Sequence, residues 1–141
     1  IYRQGVGESQ REFLKEEVRI IENYLRGEEK ESVLFGSNYK TIPYTYILVN
    51  KKANFKYFEE NRGSFKNPEN GLLILNNITG TDKFEFCIQP QEVTQGSATP
   101  TYYHVAFGDM GINEEIPKLT YDLCGIYPNW CGYVRVPHVL K

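Results

Sequence analysis

The stretch from Tyr2 to Gly27, YRQGVGESQREFLKEEVRIIENYLRG, joins a short strand to an amphipathic helix. Gln4 stands where the strand gives way to a glycine-rich turn. Ser9 and Glu12 have the spacing of a capping box, in which the two residues satisfy free amides at a helix start. Behind them, apolar residues recur at helical spacing: Leu14, Val18, Ile21 and Leu25. The helix is predicted to end at Gly27, because glycine readily adopts the left-handed conformation that closes a helix.

The rest of the chain alternates apolar runs with polar loops. The runs are rich in β-branched and aromatic residues, and strands are predicted over Tyr44–Asn50, Leu72–Leu75, Phe84–Ile88, Thr101–Phe107 and Tyr133–Val136. A second helix is predicted from Asn113, a good N-cap residue, through Ile126. The polar segment EENRGSFKNPENG, residues 59–71, is predicted to be a loop. This order predicts an α/β domain with a mixed sheet flanked by helices.

Composition narrows the classes of partner. The chain has 16 basic and 18 acidic residues, a net charge of −2, so any site for a polyanion must be a local patch. The three cysteines, Cys87, Cys124 and Cys131, lack the spacing of a zinc site or a disulfide framework. Reduced thiols favour an intracellular protein, cytoplasmic or nuclear. No signal peptide is recognisable and no apolar run could span a bilayer, so no membrane partner is expected.

Four blocks of the sequence, in order, resemble the PIWI domain of Argonaute and Piwi proteins. They are YRQGVGESQ, YILVNKKANFKYF, QPQEVTQGSATPTYYHV and LTYDLCGIYPNWCGYVRVP, and the last is more similar to the Piwi branch. The resemblance covers nearly all of residues 1–141 and implies the C-terminal part of a PIWI domain. It also implies a ribonuclease H-like fold that lacks its first strands, with the rest of the same polypeptide, or another chain, completing the sheet.

The resemblance gives Gln4 a specific meaning. Family members that cut RNA carry Asp at this position, and further catalytic residues lie upstream of the first block and beyond Pro137; His138 is not one of them. Cutting by the family uses paired magnesium ions, which prefer anionic oxygen ligands. A glutamine supplies a neutral amide, so no catalytic residue and no metal or other cofactor is expected within this chain.

Basic residues follow the predicted strand that ends at Asn50. Lys51, Lys52 and Lys56 alternate there with aromatic residues, a pattern that fits either a phosphate patch or a solvated strand end. The resemblance favours the phosphate patch, since Lys52 and Lys56 match positions that hold guide-strand phosphates in the family.

Two later blocks carry further candidates. The turn QPQEVTQGSATP fits a plain surface loop or a contact with a sugar-phosphate backbone. By resemblance, Gln91 and Thr99 match guide-contacting positions, although Thr99 replaces an Arg of the Argonaute branch. The other candidates by resemblance, in the last block, are Tyr127, Asn129 and Arg135. Trp130 is interpreted as a packing residue, and His104 as a hydrogen-bonding histidine rather than a metal ligand.

The resemblance implies a protein of small-RNA-guided silencing that binds a guide RNA by its backbone, and through the guide a complementary target RNA, without cutting. The alternative is a structural or protein-interaction module that kept the fold and no longer binds RNA. A nuclease that uses replacement ligands is a third interpretation.

Overall fold

A computed structural model gives the fold, and it describes residues 1–5, 10–25, 42–76, 84–108 and 115–141. Within these residues, two helices, α1 (Arg11–Leu25) and α2 (Glu115–Gly125), accompany seven strands. The strands are β1 (Tyr2–Gln4), β2 (Thr45–Asn50), β3 (Glu59–Asn61), β4 (Ser64–Lys66), β5 (Leu72–Asn76), β6 (Phe84–Gln89) and β7 (Thr101–Gly108). A 3-10 turn, His138–Leu140, comes near the end of the described residues.

Five of the strands form a mixed sheet in the order β1-β2-β7-β6-β5. Strand β1 runs parallel to β2, and the other neighbours are antiparallel. The register aligns the ends of β1, β2 and β6 with the starts of β5 and β7, since Gln4 pairs with Val49, Asn50 with Tyr102, and Leu72 with Gln89. We call this line of strand ends the site edge, and it collects the loops that carry most of the candidate residues.

The two helices cover opposite faces of the sheet, because successive side chains of a strand point to opposite sides. Leu14 and Val18 of α1 pack against Tyr44 and Tyr46 on one face. On the other face, Ile116 of α2 joins a core that includes Ile47, Val49, Phe86, Tyr103 and Val136. The rings of Phe86 and Tyr103 stack there with their centroids 4.9 Å apart. The prediction of a mixed sheet flanked by helices is therefore confirmed.

The predicted strand Tyr133–Val136 is wrong. Its backbone has no strand geometry; instead the amide of Val134 donates to the carbonyl of Cys124 at 2.8 Å, and the Thr101 hydroxyl donates to the carbonyl of Arg135 at 3.0 Å. Val134 and Val136 are buried against α2 and the sheet. Apolar alternation here reflects packing of an irregular segment, not pairing in a ladder.

The segment predicted as loop over residues 59–71 contains a small hairpin, so that prediction is also wrong. Strands β3 and β4 pair across a two-residue turn in which Arg62 and Gly63 both have positive φ, 50° and 80°. Two successive residues with positive φ suit the tight turn of a hairpin. The predicted helix boundaries at Ser9, Gly27 and Asn113 lie outside the described residues.

None of the helices in the described part of the chain has the length and apolar character that a membrane span requires.

Candidate nucleic-acid interface

Gln4 is the last residue of β1, as the sequence predicts, and lies half-buried at the site edge. Gly5 follows with φ of 83°, which turns the chain out of the strand. The Arg3 guanidinium donates to the carbonyl of Gln4 at 3.0 Å. The described residues contain no group of three or more His, Cys, Asp or Glu side chains that could hold a metal ion. A neutral amide with no such group beside it does not fit the anionic oxygen ligands that magnesium prefers.

Three cations converge where β2 ends. Lys51 follows β2 directly, and the Arg135 guanidinium donates a hydrogen bond to its carbonyl. The pKa of Lys51 is lowered by burial and then by the positive charges of Lys141 and Arg135. The Nε of Arg135 is buried and has no hydrogen-bond partner in the described part of the chain. We call Lys51, Arg135 and Lys141 the basic cluster, and neighbouring positive charges favour an anion beside them.

Tyr127 and Asn129 adjoin the basic cluster. The Nδ2 of Asn129 lies 3.4 Å from the Tyr127 hydroxyl, to which it donates a long hydrogen bond. The Nζ of Lys141 stands 5.8 Å from the centroid of the Tyr127 ring, within range of a cation–π contact. The centroid of the His138 ring lies 5.9 Å from that of the Tyr127 ring. The structure therefore brings Tyr127 and Asn129 together, and Lys141 connects Tyr127 to the basic cluster.

Lys52 and Lys56 lie on the exposed segment after β2. The amide of Lys52 donates to the side-chain oxygen of Asn50 at 2.8 Å, which turns the chain at the strand end. Lys56 is exposed between Phe55 and Tyr57, whose rings meet edge to face at 5.4 Å. Lys52 thus lies next to the basic cluster in the chain, whereas no described contact joins Lys56 to it.

Gln91 and Thr99 lie on the loop of residues 90–100, which connects β6 to β7 at the site edge. The carbonyl of Gln91 accepts a 2.8 Å hydrogen bond from the side chain of Gln89, the last residue of β6. Thr99 is half-buried between Ala98 and Pro100, both of which are buried. The loop therefore keeps both candidates next to the sheet.

The two remaining sequence interpretations have different outcomes. The Nδ1 of His104 lies 3.1 Å from a carboxylate oxygen of Glu85 on the neighbouring strand, which confirms a hydrogen-bonding histidine. Trp130 is 58% exposed, so its interpretation as a packing residue is wrong. Its amide donates to the carbonyl of Tyr127, and this turn directs the indole outward, alongside Gly132.

Sequence reasoning passed over Lys141 and used Lys51 only as part of a longer basic run. Lys141 lies near Arg135 in the chain but far from Lys51, and the tertiary fold brings it over Tyr127. Lys51 had a detectable signal, because it follows the strand directly and a strand end carries side chains to the edge of a sheet.

Comparison with known proteins assigns the family. The Piwi domain model matches residues 1–141. The chain is 38% identical over 139 residues to Piwi-like protein Ago3 of Bombyx mori, covering 97% of this chain and 14% of that protein.

Solved structures agree. The crystal structure of Drosophila Piwi superposes with a TM-score of 0.78 at 34% identity, over 98% of this chain and 18% of that one. A Kluyveromyces polysporus Argonaute crystallised with a guide RNA gives a TM-score of 0.76 at 22% identity, over 97% of this chain and 18% of the other. The five-stranded mixed sheet between two helices is thus the ribonuclease H-like fold of these proteins. The chain spans about one seventh of the Bombyx relative's length and belongs to the Piwi domain family.

Proposed function

We propose that this chain is the C-terminal part of a PIWI domain and binds the backbone of a small guide RNA along the site edge. The observation that carries the proposal is the basic cluster, in which the Arg135 guanidinium donates to the carbonyl of Lys51 and Lys141 stands over the Tyr127 ring, 5.8 Å from its centroid. Burial lowers the pKa of Lys51, and the positive charges of Lys141 and Arg135 lower it further. A phosphate beside the cluster would offset this repulsion. The Argonaute of the same fold that was crystallised with a guide RNA supports the choice of ligand.

The candidate residues suit backbone contact rather than reading of bases. The Arg135 guanidinium is held by its hydrogen bond to the carbonyl of Lys51, and a guanidinium binds phosphate oxygens in a fixed planar geometry. Lys52 extends the positive charge along the exposed segment, and Lys56 lies four residues further on. Gln91 and Thr99 offer neutral polar groups, as do Tyr127 and Asn129, which suit sugar and phosphate oxygens. Sequence choice then comes from pairing between the guide and a complementary target RNA.

The same proposal includes the loss of RNA cutting. Active members of the family use magnesium at the position of Gln4, and a neutral amide supplies no anionic oxygen for it. Silencing by this protein therefore depends on occupying the target or on other proteins. Three free cysteines agree with an intracellular location, cytoplasmic or nuclear.

The alternative is a protein-interaction module that no longer binds RNA. Helix α1 favours it, because Phe13 and Ile20 are 78% and 55% exposed on one flank of the helix. The same flank also fits a contact with other parts of the polypeptide, which we propose complete the sheet beside β1.

The proposal is tested by measuring whether small RNA copurifies with the protein. Full-length protein purified from its own cells is expected to carry small RNA, with an affinity that falls steeply with salt. Replacing Lys51, Lys52 and Arg135 by Gln should weaken binding, whereas Lys118→Gln, on the exposed side of α2, should leave it unchanged. Protein free of nucleic acid, with partners that survive the triple change, would support the interaction module instead.

A further inference from the structure

The side chain of Asn67 holds the loop between β6 and β7 by three hydrogen bonds. Its Nδ2 donates to the carbonyl of Val93 at 3.1 Å and to that of Gly96 at 2.7 Å. Its Oδ1 accepts from the amide of Ala98 at 2.9 Å. Every bond reaches backbone that is 26 to 31 residues away in the chain. One amide group therefore satisfies three backbone groups of a loop that belongs to no helix or sheet.

The geometry requires this residue type. The site needs two donors and one acceptor at the end of a short side chain, and an asparagine carries both. An aspartate keeps the acceptor for Ala98 but loses both donors. The loop is compact between the bonded positions, since Gly96 has φ of 83° and Ala98 is buried.

Asn67 also joins two segments of the candidate interface. It follows β4 directly, so it ends the hairpin that the chain forms after the segment of Lys52 and Lys56. The hairpin is closed by Glu59, whose carboxylate contacts Lys66 at 2.9 Å and accepts from the amide of Glu69 at 3.3 Å. On the other side, the loop that Asn67 holds carries Gln91 and Thr99. The start of that loop is fixed separately, by the bond from Gln89 to Gln91.

We propose that Asn67 is a positioning residue for RNA binding: it fixes residues 93–98 of the loop in the shape that brings Thr99 to the guide backbone. This inference rests on the proposed function, since it assigns Asn67 no RNA contact of its own. Without the three bonds, the loop has more conformations to lose when the guide binds, and that ordering reduces affinity.

The experiment uses the full-length protein and guide RNAs that carry one uncharged methylphosphonate at a time. The wild-type protein should bind a guide more weakly when the methylphosphonate replaces a phosphate that the protein contacts. Two reference variants, Thr99→Ala and Lys52→Gln, identify which phosphates depend on the loop and which on the segment after β2. In Asn67→Ala we expect affinity to fall roughly tenfold. In this variant, a methylphosphonate at a loop-dependent phosphate should cause no further loss of affinity. A methylphosphonate at a phosphate that depends on Lys52 should still weaken binding.

Asn70→Ala is the matched control, because Asn70 is an exposed asparagine of the same segment. It should leave both affinity and the phosphate pattern unchanged. If Asn67→Ala does not fold, Asn67→Asp replaces it, since the aspartate keeps the bond to Ala98; the same selective loss is expected.

The outcomes are separable. A phosphate pattern unchanged from the wild type would overturn the positioning role, and so would an equal loss at every phosphate, which reports general destabilisation. Either result leaves guide binding standing. A wild-type protein that binds no guide overturns the proposed function itself, and the positioning role with it.

Discussion

The guanidinium of Arg135 donates a hydrogen bond to the carbonyl of Lys51, 84 residues earlier in the chain. The bond ties the segment after α2 to the end of β2 and brings the Arg135 guanidinium to the backbone of Lys51. Beyond the effect of burial, the positive charges of Lys141 and Arg135 both lower the pKa of Lys51. The fold thus assembles a local positive site in a chain whose net charge is −2.

Replacing Arg135 should separate the contribution of charge from that of geometry. In Arg135→Gln one phosphate contact is lost, so the slope of log affinity against log salt concentration should become shallower by about 0.7. In Arg135→Lys the slope should persist while affinity falls, because lysine keeps the charge but not the planar fork. Filter binding of a guide RNA across a salt series measures both. Arg19→Gln, on the exposed side of α1, is the control. An unchanged slope in Arg135→Gln would contradict the prediction.

Lys51 should stabilise the complex and destabilise the free protein. Its pKa is lowered from 10.5, so the folded protein binds fewer protons than the unfolded chain between the two pKa values. The free energy of unfolding therefore rises with pH across that window, and the unfavourable contribution is fully present at neutral pH. Lys51→Met should stabilise the RNA-free protein at pH 7, by less than about 1 kcal/mol because the site is partly exposed. The same variant should weaken guide binding.

Thermal unfolding of the RNA-free protein at pH 7 and at about pH 10 measures this effect. Lys66→Met is the matched control, because hydrogen bonding to Glu59 raises the pKa of Lys66 and its removal should not stabilise. A Lys51→Met protein that is less stable than the wild type at pH 7 would refute the prediction.

Periodicity and residue type were sufficient to predict most of the sheet. The continuous apolar run of β2 predicts a strand buried on both faces, and Ile47 and Tyr46 do pack on opposite sides. The same reasoning failed for Tyr133–Val136, since an irregular segment packed against a helix can show the same alternation as a strand. It also missed the hairpin, because Arg62 adopts a left-handed conformation that is uncommon for arginine.

The candidate site was predictable only in part. Gln4 could be located because a strand end followed by glycine marks the edge of a sheet. Asn67 could not be found, since its role depends on carbonyls 26 and 29 residues away that a loop brings within reach. Such contacts follow from the path of the loop rather than from any local pattern.

Gln4 should leave the protein without magnesium-dependent cutting. Full-length protein loaded with a guide is expected to bind a complementary RNA and to yield no cleaved product in magnesium, because the amide cannot replace a charged ligand. Gel analysis of end-labelled target measures cleavage, and a band shift of the same sample verifies that target is bound. Product formed at the rate of an active nuclease would contradict this prediction. Cleavage by Gln4→Asp alone would identify Gln4 as the cause of inactivity.

Residues 1–141 expressed alone should self-associate. Strand β1 is at the end of the sheet and pairs only with β2 among the described strands, which leaves its other edge able to pair with a second chain. Phe13 and Ile20 lie exposed on α1, and the Arg3–Glu17 ion pair connects this helix to β1. Replacing Phe13 and Ile20 by Ser should therefore reduce association, as measured by sedimentation velocity across a concentration series. Lys15→Ser, an exposed change on the same helix, should not. A monomeric wild-type chain that unfolds cooperatively would show that this edge needs no covering partner.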